Sequence, residues 1–446
     1  MKASETKTRA VSAEGRRLGE RLRQLRSAAG LTQSDLASDR FSKEYVSQIE
    51  RGKTRPTRET IEWLAARLGV DAGFLESGVA ADQRGRLEGA LARAEALYEA
   101  GEDADAATAF EPLVPAARAT GSPELQVRAL VGTGLAQMRL SEHRAALELF
   151  TEARALTDSG SFSDVERADV LLRLGGCRYQ LNSTQSAIAL FDEALALAER
   201  SGMPCDALKA DIFSWRSRCW RRQRDYEAAR DDIERALELA QGVDDFRTIG
   251  VAYFQASLVA DRQGHWLLAR TYAERAREAY AQLSDRVHVG ELTNNLGAFN
   301  FLLGNTDDAI ALLKEAFAIA LETGRDADAG RAVSSLAQVH LRTGEPVLAE
   351  EQARHALRLL DGRVDYVDEV GNAQLVLGKA LLEQRRLDEA DVAFRDAETS
   401  FTELGSGSHR AGVWVARGDL AARRGDHERA AELYRSAAEA LQDVRF

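Results

Sequence analysis

Residues 146–153 read Ala146-Leu-Glu-Leu-Phe150-Thr-Glu-Ala153, two alanines enclosing an aromatic residue. Positions i, i+4 and i+7 fall on one face of an α-helix, so Ala146, Phe150 and Ala153 form a single stripe. The phrase returns as Ala187/Phe191/Ala194, Ala229/Ile233/Ala236, Ala269/Ala273/Ala276 and Ala309/Leu313/Ala316. It continues as Ala349/Ala353/Ala356, Ala390/Phe394/Ala397 and Ala430/Tyr434/Ala437, and a weaker first copy is Ala106/Phe110/Leu113. Successive leading alanines lie 40 to 42 residues apart. Self-similarity at such a period marks a stack of supersecondary units.

Twelve positions before each leading alanine stands another small residue: Ala94, Gly134, Gly175, Ser217, Ser257, Gly297, Ala337, Gly378 and Gly418. Small residues at fixed offsets allow two antiparallel helices to approach closely, where larger side chains would hold their backbones apart. Turn-prone segments such as Gly304-Asn-Thr-Asp-Asp308 and Gly425-Asp-His427 fall between them and are short enough to force a hairpin. The sequence therefore predicts an all-α chain, with about nine helical hairpins over residues 79–446.

This pattern resembles the tetratricopeptide repeat, which has a small residue in its first helix and the A-x3-F-x2-A phrase in its second. The resemblance covers residues from about 84 to the end, and it implies a right-handed superhelix whose concave face is lined mainly by the first helix of each repeat. The period exceeds the usual 34 residues, so helices or connecting turns should be longer than in the short form.

A different sequence precedes the repeats. Leu18, Leu22 and Leu25 give a first helix its apolar stripe, and Gly30 ends it. Thr32 with Asp35 is a cap for a second helix carrying Leu36 and Ala37. Ser42 opens a third, in which Val46 and Ile49 point inward. Gly52 and Pro56 interrupt the chain, then Ile61, Leu64, Ala65 and Leu68 mark a fourth helix, and Phe74 with Leu75 a fifth.

These five helices, assigned to residues 12–78 after a flexible N-terminus of residues 1–11, resemble the helix-turn-helix domain of phage-repressor-type regulators. The resemblance rests on L-T-Q-x-x-L-A from Leu31 to Ala37, S-x-x-x-V-S-x-I-E-x-G from Ser42 to Gly52, and L-A-x-x-L-G-V from Leu64 to Val70. One stretch departs from the family pattern: Ala37 to Ser42 is a residue short and lacks the customary turn glycine. The resemblance implies a lambda-repressor-like domain that places its third helix in the major groove of double-stranded DNA. It puts Lys43, Glu44 and Gln48 on the base-facing side, able to address guanine, cytosine and adenine respectively. It gives Gln33, Tyr45, Ser47, Lys53 and Arg55 to the phosphate backbone. Arg26 and Glu50 match an internal salt bridge.

Charge agrees with that division. Residues 1–78 hold 15 Lys/Arg against 11 Asp/Glu, a balance of +4 within a chain of net charge -12. A basic head on an acidic body suits a protein that meets a polyanion with its head alone. The 446 residues are 45% hydrophobic and 29% charged, which fits a folded soluble chain and argues against disorder. The sequence has no transmembrane stretch and no secretory signal, so a cytoplasmic location is expected. Three cysteines (Cys177, Cys205, Cys219) without a C-x-x-C pair argue against a disulfide framework. Seven scattered histidines form no metal-spaced cluster, and no Walker loop, G-x-S-x-G or strand-borne G-x-G-x-x-G is present. We expect no enzyme activity, no metal and no cofactor.

Family precedent assigns Asp211, Arg218, Arg221, Asn294, Arg331, Gln338, Asn372 and Lys379 to the groove, beside apolar Val131, Leu172, Tyr179, Phe254, Phe301 and Leu341. Amides can bond a peptide backbone and guanidinium groups a carboxylate, so the set suits an extended peptide or protein effector; a wet polar face is the alternative. The basic run from Trp215 to Arg224 could hold an anion or simply form a charged turn. Together these features imply a DNA-binding transcriptional regulator of the XRE family, working as a homodimer and sensing an effector through its repeats. A partner-binding scaffold, whose head serves protein interaction, is the competing expectation.

Overall fold

The computed structural model describes residues 13–77, 81–159, 162–363, 366–405 and 407–442, with the side chains of residues 13–17, 77, 81, 82 and 442 left aside. The expected flexible N-terminus, residues 1–11, lies outside the described residues. The secondary structure is α-helical, with no strand among the described residues. Two compact units divide after Leu208.

The first unit opens with α1 (Ala13–Ala28), α2 (Gln33–Ala37), α3 (Lys43–Glu50), α4 (Arg58–Leu68) and α5 (Ala72–Ser77). Leu22, Leu36, Val46, Ile49, Leu64 and Leu75 are buried together as their shared core. Thr32 accepts from the Asp35 amide and Asp35 bonds back to Thr32, a complete capping box for α2. Ser42 caps α3 by accepting from the Tyr45 amide. The turn that lacks its glycine solves the problem with Ser38, which takes φ 50° and ψ -147° at the end of α2.

The same unit continues with α6 (Ala81–Glu99), α7 (Asp103–Phe110), α8 (Leu113–Thr120), α9 (Pro123–Arg139), α10 (His143–Ser159), α11 (Asp164–Gln180) and α12 (Thr184–Arg200). The weak first copy of the repeat phrase proves to be split. Pro112, which has no N–H to give a helix, separates α7 from α8. Ala106 and Phe110 therefore lie on one helix and Leu113 on the next.

The second unit comprises α13 (Asp206–Arg222), α14 (Tyr226–Ala240), α15 (Phe246–Arg262), α16 (Trp266–Gln282), α17 (Arg286–Leu302) and α18 (Thr306–Glu322). It ends with α19 (Asp326–Arg342), α20 (Pro346–Leu359), α21 (Val367–Glu383), α22 (Leu387–Glu403), α23 (Gly407–Arg423) and α24 (His427–Gln442). Nine hairpins are thus seen among the described residues. Their long period comes from the helices: α17, α18 and α19 are each 17 residues long, joined by three-residue turns.

The small positions act as expected, against the large member of the repeat phrase. A Cβ on Gly175 would lie 2.4 Å from the Phe191 ring, and one on Gly378 would lie 2.4 Å from the Phe394 ring. Gly134 faces Phe150, Gly297 faces Leu313 and Gly418 faces Tyr434 in the same way. Where the small residue carries a side chain, as Ser257 or Ala337, the phrase supplies only Ala273 or Ala353. Volume lost on one helix is thus returned by the other. There are two exceptions: Ser217, whose phrase supplies Ile233, and Phe110, whose ring occupies the space beside Gly132 of α9.

Candidate functional site

In the head, α3 presents two faces. Val46, Ile49 and Glu50 are buried, whereas Lys43, Glu44 and Gln48 are exposed and Tyr45 and Ser47 half-buried. Lys43 and Glu44 are adjacent in the first turn and Gln48 lies about one turn beyond Glu44, and a helix about 10–12 Å across matches the width of the major groove. Gln48 is oriented by Thr54, whose hydroxyl donates to Gln48 Oε1 at 3.0 Å. The second lone pair of that oxygen and the amide hydrogens are left for a further partner. Lys53 and Arg55, both exposed, follow the turn after α3. Gly52 makes that turn with φ 66°, which L side chains adopt at a cost.

Glu50 holds the assembly together. Its side chain is 3% exposed and accepts from Arg26 Nε at 2.6 Å and from Gln33 Nε2 at 2.7 Å. Arg26 also donates to the Leu31 carbonyl at 2.8 Å, so one buried carboxylate ties α1, α2 and α3 together. The hydrogen bond from Arg26 to Glu50 raises the guanidinium pKa above its ordinary value. Gly19 lets α1 close upon α3, since a Cβ there would meet the Ile49 carbonyl oxygen at 2.4 Å.

The eight residues assigned to a groove all occur on first helices of hairpins in the second unit. Asp211, Arg218 and Arg221 are on α13, Asn294 on α17, Arg331 and Gln338 on α19, and Asn372 and Lys379 on α21. The structure brings two of them to one cleft: Asn294 and Arg331 line it with Glu291 and Asp328. Arg331 is 3.1 Å from Glu369, 3.7 Å from Glu291 and 3.8 Å from Asp328. Burial would lower its pKa, but these carboxylates outweigh burial and raise it. Burial and then the nearby Arg342 lower the pKa of Lys379. The basic run on α13 is engaged internally: Arg216 pairs with Asp232 at 2.6 Å, Arg218 stacks 4.4 Å from the Trp215 ring, and Arg221 reaches Gln255 at 3.3 Å.

The helix-turn-helix domain model matches residues 17–75, and tetratricopeptide repeat models match residues 131–204, 289–361 and 375–443. The chain joins a helix-turn-helix domain to tetratricopeptide repeats. The HTH-type transcriptional regulator DdrOP3 of Deinococcus deserti is 42% identical over 64 residues, 14% of this chain and 50% of that relative. The chain thus spans about half the length of the curated relative it matches. Among solved structures, the apo form of RapI aligns with a TM-score of 0.60 at 12% identity, covering 80% of this chain and 98% of that one. A Rap protein complexed with Competence and Sporulation Factor gives 0.58 at 15% identity, over 81% and 98% of the two chains. At such identities the likeness is one of fold.

Sequence reading missed three parts of the helix-turn-helix head. Thr54 orients Gln48, and Arg40 and Arg67 lie about the Trp63 ring at 6.0 and 5.8 Å. Arg67 also donates to the Asp35 carbonyl at 3.1 Å. Arginines within a short aromatic context were the available signal, but Trp63 and Arg67 stand far from Arg40 in sequence. In the repeats, Cys177 and Cys219 are buried, and burial pushes their thiols up to about 11 and about 12. Among the described residues no group of three or more His, Cys, Asp or Glu is arranged to hold a metal ion, and no helix is long and apolar enough to cross a membrane.

Proposed function

We propose that this chain is a cytoplasmic, DNA-binding transcriptional regulator. Residues 12–78 bind operator DNA, and residues 79–446 dimerise and sense a peptide or protein effector. The observation that carries the reading is the exposed face of α3, backed by the buried Glu50 network. Lys43, Glu44 and Gln48 point outward from a helix whose opposite side is locked into the core, an arrangement suited to reading base edges. Tyr45, Ser47, Lys53 and Arg55 flank that face and contact phosphates, and Gln33 does so with the amide hydrogen that Glu50 leaves over. The relative sharing the head is named a transcriptional regulator.

Two heads are required because one small domain buries little surface on DNA, while paired half-sites multiply affinity. An effector on the first helices of the hairpins shifts the equilibrium between two spacings of the heads, and operator affinity follows. The amides of Asn294 on α17, Gln338 on α19 and Asn372 on α21 support such a role.

The test is titration of the purified chain against genomic DNA fragments at two salt concentrations, with wild type and with Lys43→Ala/Gln48→Ala. Loss of about 1–3 kcal/mol of discrimination per base-contacting residue is expected, while salt-dependent non-specific binding persists. Unchanged sequence preference in the double variant overturns the base-reading assignment. Absence of any salt-dependent DNA binding by wild type overturns the regulator reading.

A further inference from the structure

Resting on the reading of the repeats as effector-binding, we propose that the cleft formed by α17, α18 and α19 receives a cationic hydrogen-bond donor, a guanidinium or ammonium group of a peptide effector. Two independent features of the cleft define that chemistry. The first is an orphaned acceptor. Asn294 lines the cleft and is only 8% exposed, yet its Oδ1 finds no hydrogen-bond donor among the described residues. A buried acceptor without a donor is costly, and an N–H group relieves it where a carboxylate cannot.

The second feature is charge. Arg331 lies within 4 Å of Glu291, Asp328 and Glu369. Asp368 stands beside Glu369, and Arg325 pairs with Asp328 at 3.0 Å. Four carboxylates therefore face two guanidinium groups, a surplus of negative charge in a half-buried place. An effector carboxylate is repelled from such a site, so Arg331 organises acids here instead of holding the effector's own. Ile319 and Ala320 on the opposite wall suit the methylene stem of a long cationic side chain.

Protonation supports the same polarity. Burial and the adjacent Asp368 push Glu369 up to about 7, against the pull of Arg331. The groups facing it are Asp368, Arg331, Asp328, Arg325, Glu291 and the Tyr366 hydroxyl. An entering cation favours the ionised form of Glu369, so binding releases a proton and strengthens as pH rises through that value.

The experiment is calorimetric titration of the full chain with amidated tripeptides: N-acetylated Gly-Arg-Gly, Gly-Lys-Gly and Gly-Gln-Gly, and Gly-Gly-Gly with a free N-terminus. Charged probes should bind and the glutamine probe should not. Binding should weaken by about tenfold or more in both Asn294→Leu and Glu291→Gln, the scale of a lost charged hydrogen bond. Preference for acetylated Arg or Lys identifies a side chain as the source of the cation, and preference for the free terminus identifies the chain end; either supports the proposal. Equal binding of the glutamine probe, or no binding by any probe, overturns it. So does an unchanged affinity in Glu291→Gln, a half-buried substitution that removes charge without emptying volume. Should the probes bind as expected while operator affinity fails to respond, the cleft stands and the sensing reading falls.

Discussion

The head and the repeats are both bundles of short helices, yet different forces set their geometry. In the head, one buried carboxylate receives hydrogen bonds from α1 and α2 and thereby fixes α3. In seven of the nine repeats the helices are matched by volume, glycine against Phe, Leu or Tyr and serine or alanine against alanine. A directional polar contact suits an element proposed to hold base-reading side chains at a defined angle. Steric matching suits an array in which each hairpin need only fit its neighbours.

Removing one partner of the polar contact should have the largest effect. Arg26→Ala leaves Glu50 buried without its counter-charge, and a loss of about 3–5 kcal/mol is expected for such a broken pair. Chemical denaturation of the full chain, followed by a fluorescent probe on the head, measures it. Binding to DNA should fall with head stability. A loss below about 1 kcal/mol, the range of exposed ion pairs, would show that Glu50 is solvated and that the head relies on its apolar core.

The corresponding test in the repeats alters volume. Gly378→Ala places a methyl group against the Phe394 ring, where a Cβ would stand at 2.4 Å, and overpacking of about 1–3 kcal/mol is expected. Phe394→Ala alone is destabilising because it empties a fully buried site. The two together should cost less than their sum, by about 1 kcal/mol or more, because Ala vacates the space that the methyl group takes. The Ala337–Ala353 pair already shows that combination. Strict additivity in a double-mutant cycle would remove volume matching as the rule of the repeats.

The same contrast explains what could be read from sequence. A small position repeated nine times leaves a periodic trace, so the hairpins and their close approaches were legible in the sequence. The caps at Thr32 and Ser42 were legible too, because capping acts over three residues. The cleft was not. Asn294 and Arg331 could be placed on first helices, and Asp328 lies three residues before Arg331 on the same helix, but Glu291 and Glu369 converge on Arg331 from the hairpins on either side. Local spacing carries no record of such a convergence. Pro112 shows the opposite failure: the phrase Ala106/Phe110/Leu113 was visible, and the proline inside it was overlooked as a helix break.

The smallest effect concerns backbone strain, and it too separates the two regions. Ser38 occupies φ 50°, ψ -147°, a region open almost only to glycine, at the turn that leads into α3. Such a conformation costs roughly 1–3 kcal/mol, and glycine gives back about 0.4–1 kcal/mol through its freer unfolded chain. Ser38→Gly should therefore stabilise the head by about 1 kcal/mol, read as a higher denaturation midpoint with an unchanged slope. In the repeats, exposed Arg385 holds φ 64° at a hairpin turn where other hairpins place Gly304, Gly344 or Gly425. That left-handed conformation is less forbidding, so Arg385→Gly should gain less, on the order of 0.5 kcal/mol. If Ser38→Gly instead destabilises the head, the serine is making a contact that outweighs its strain, and the short turn owes its shape to that side chain.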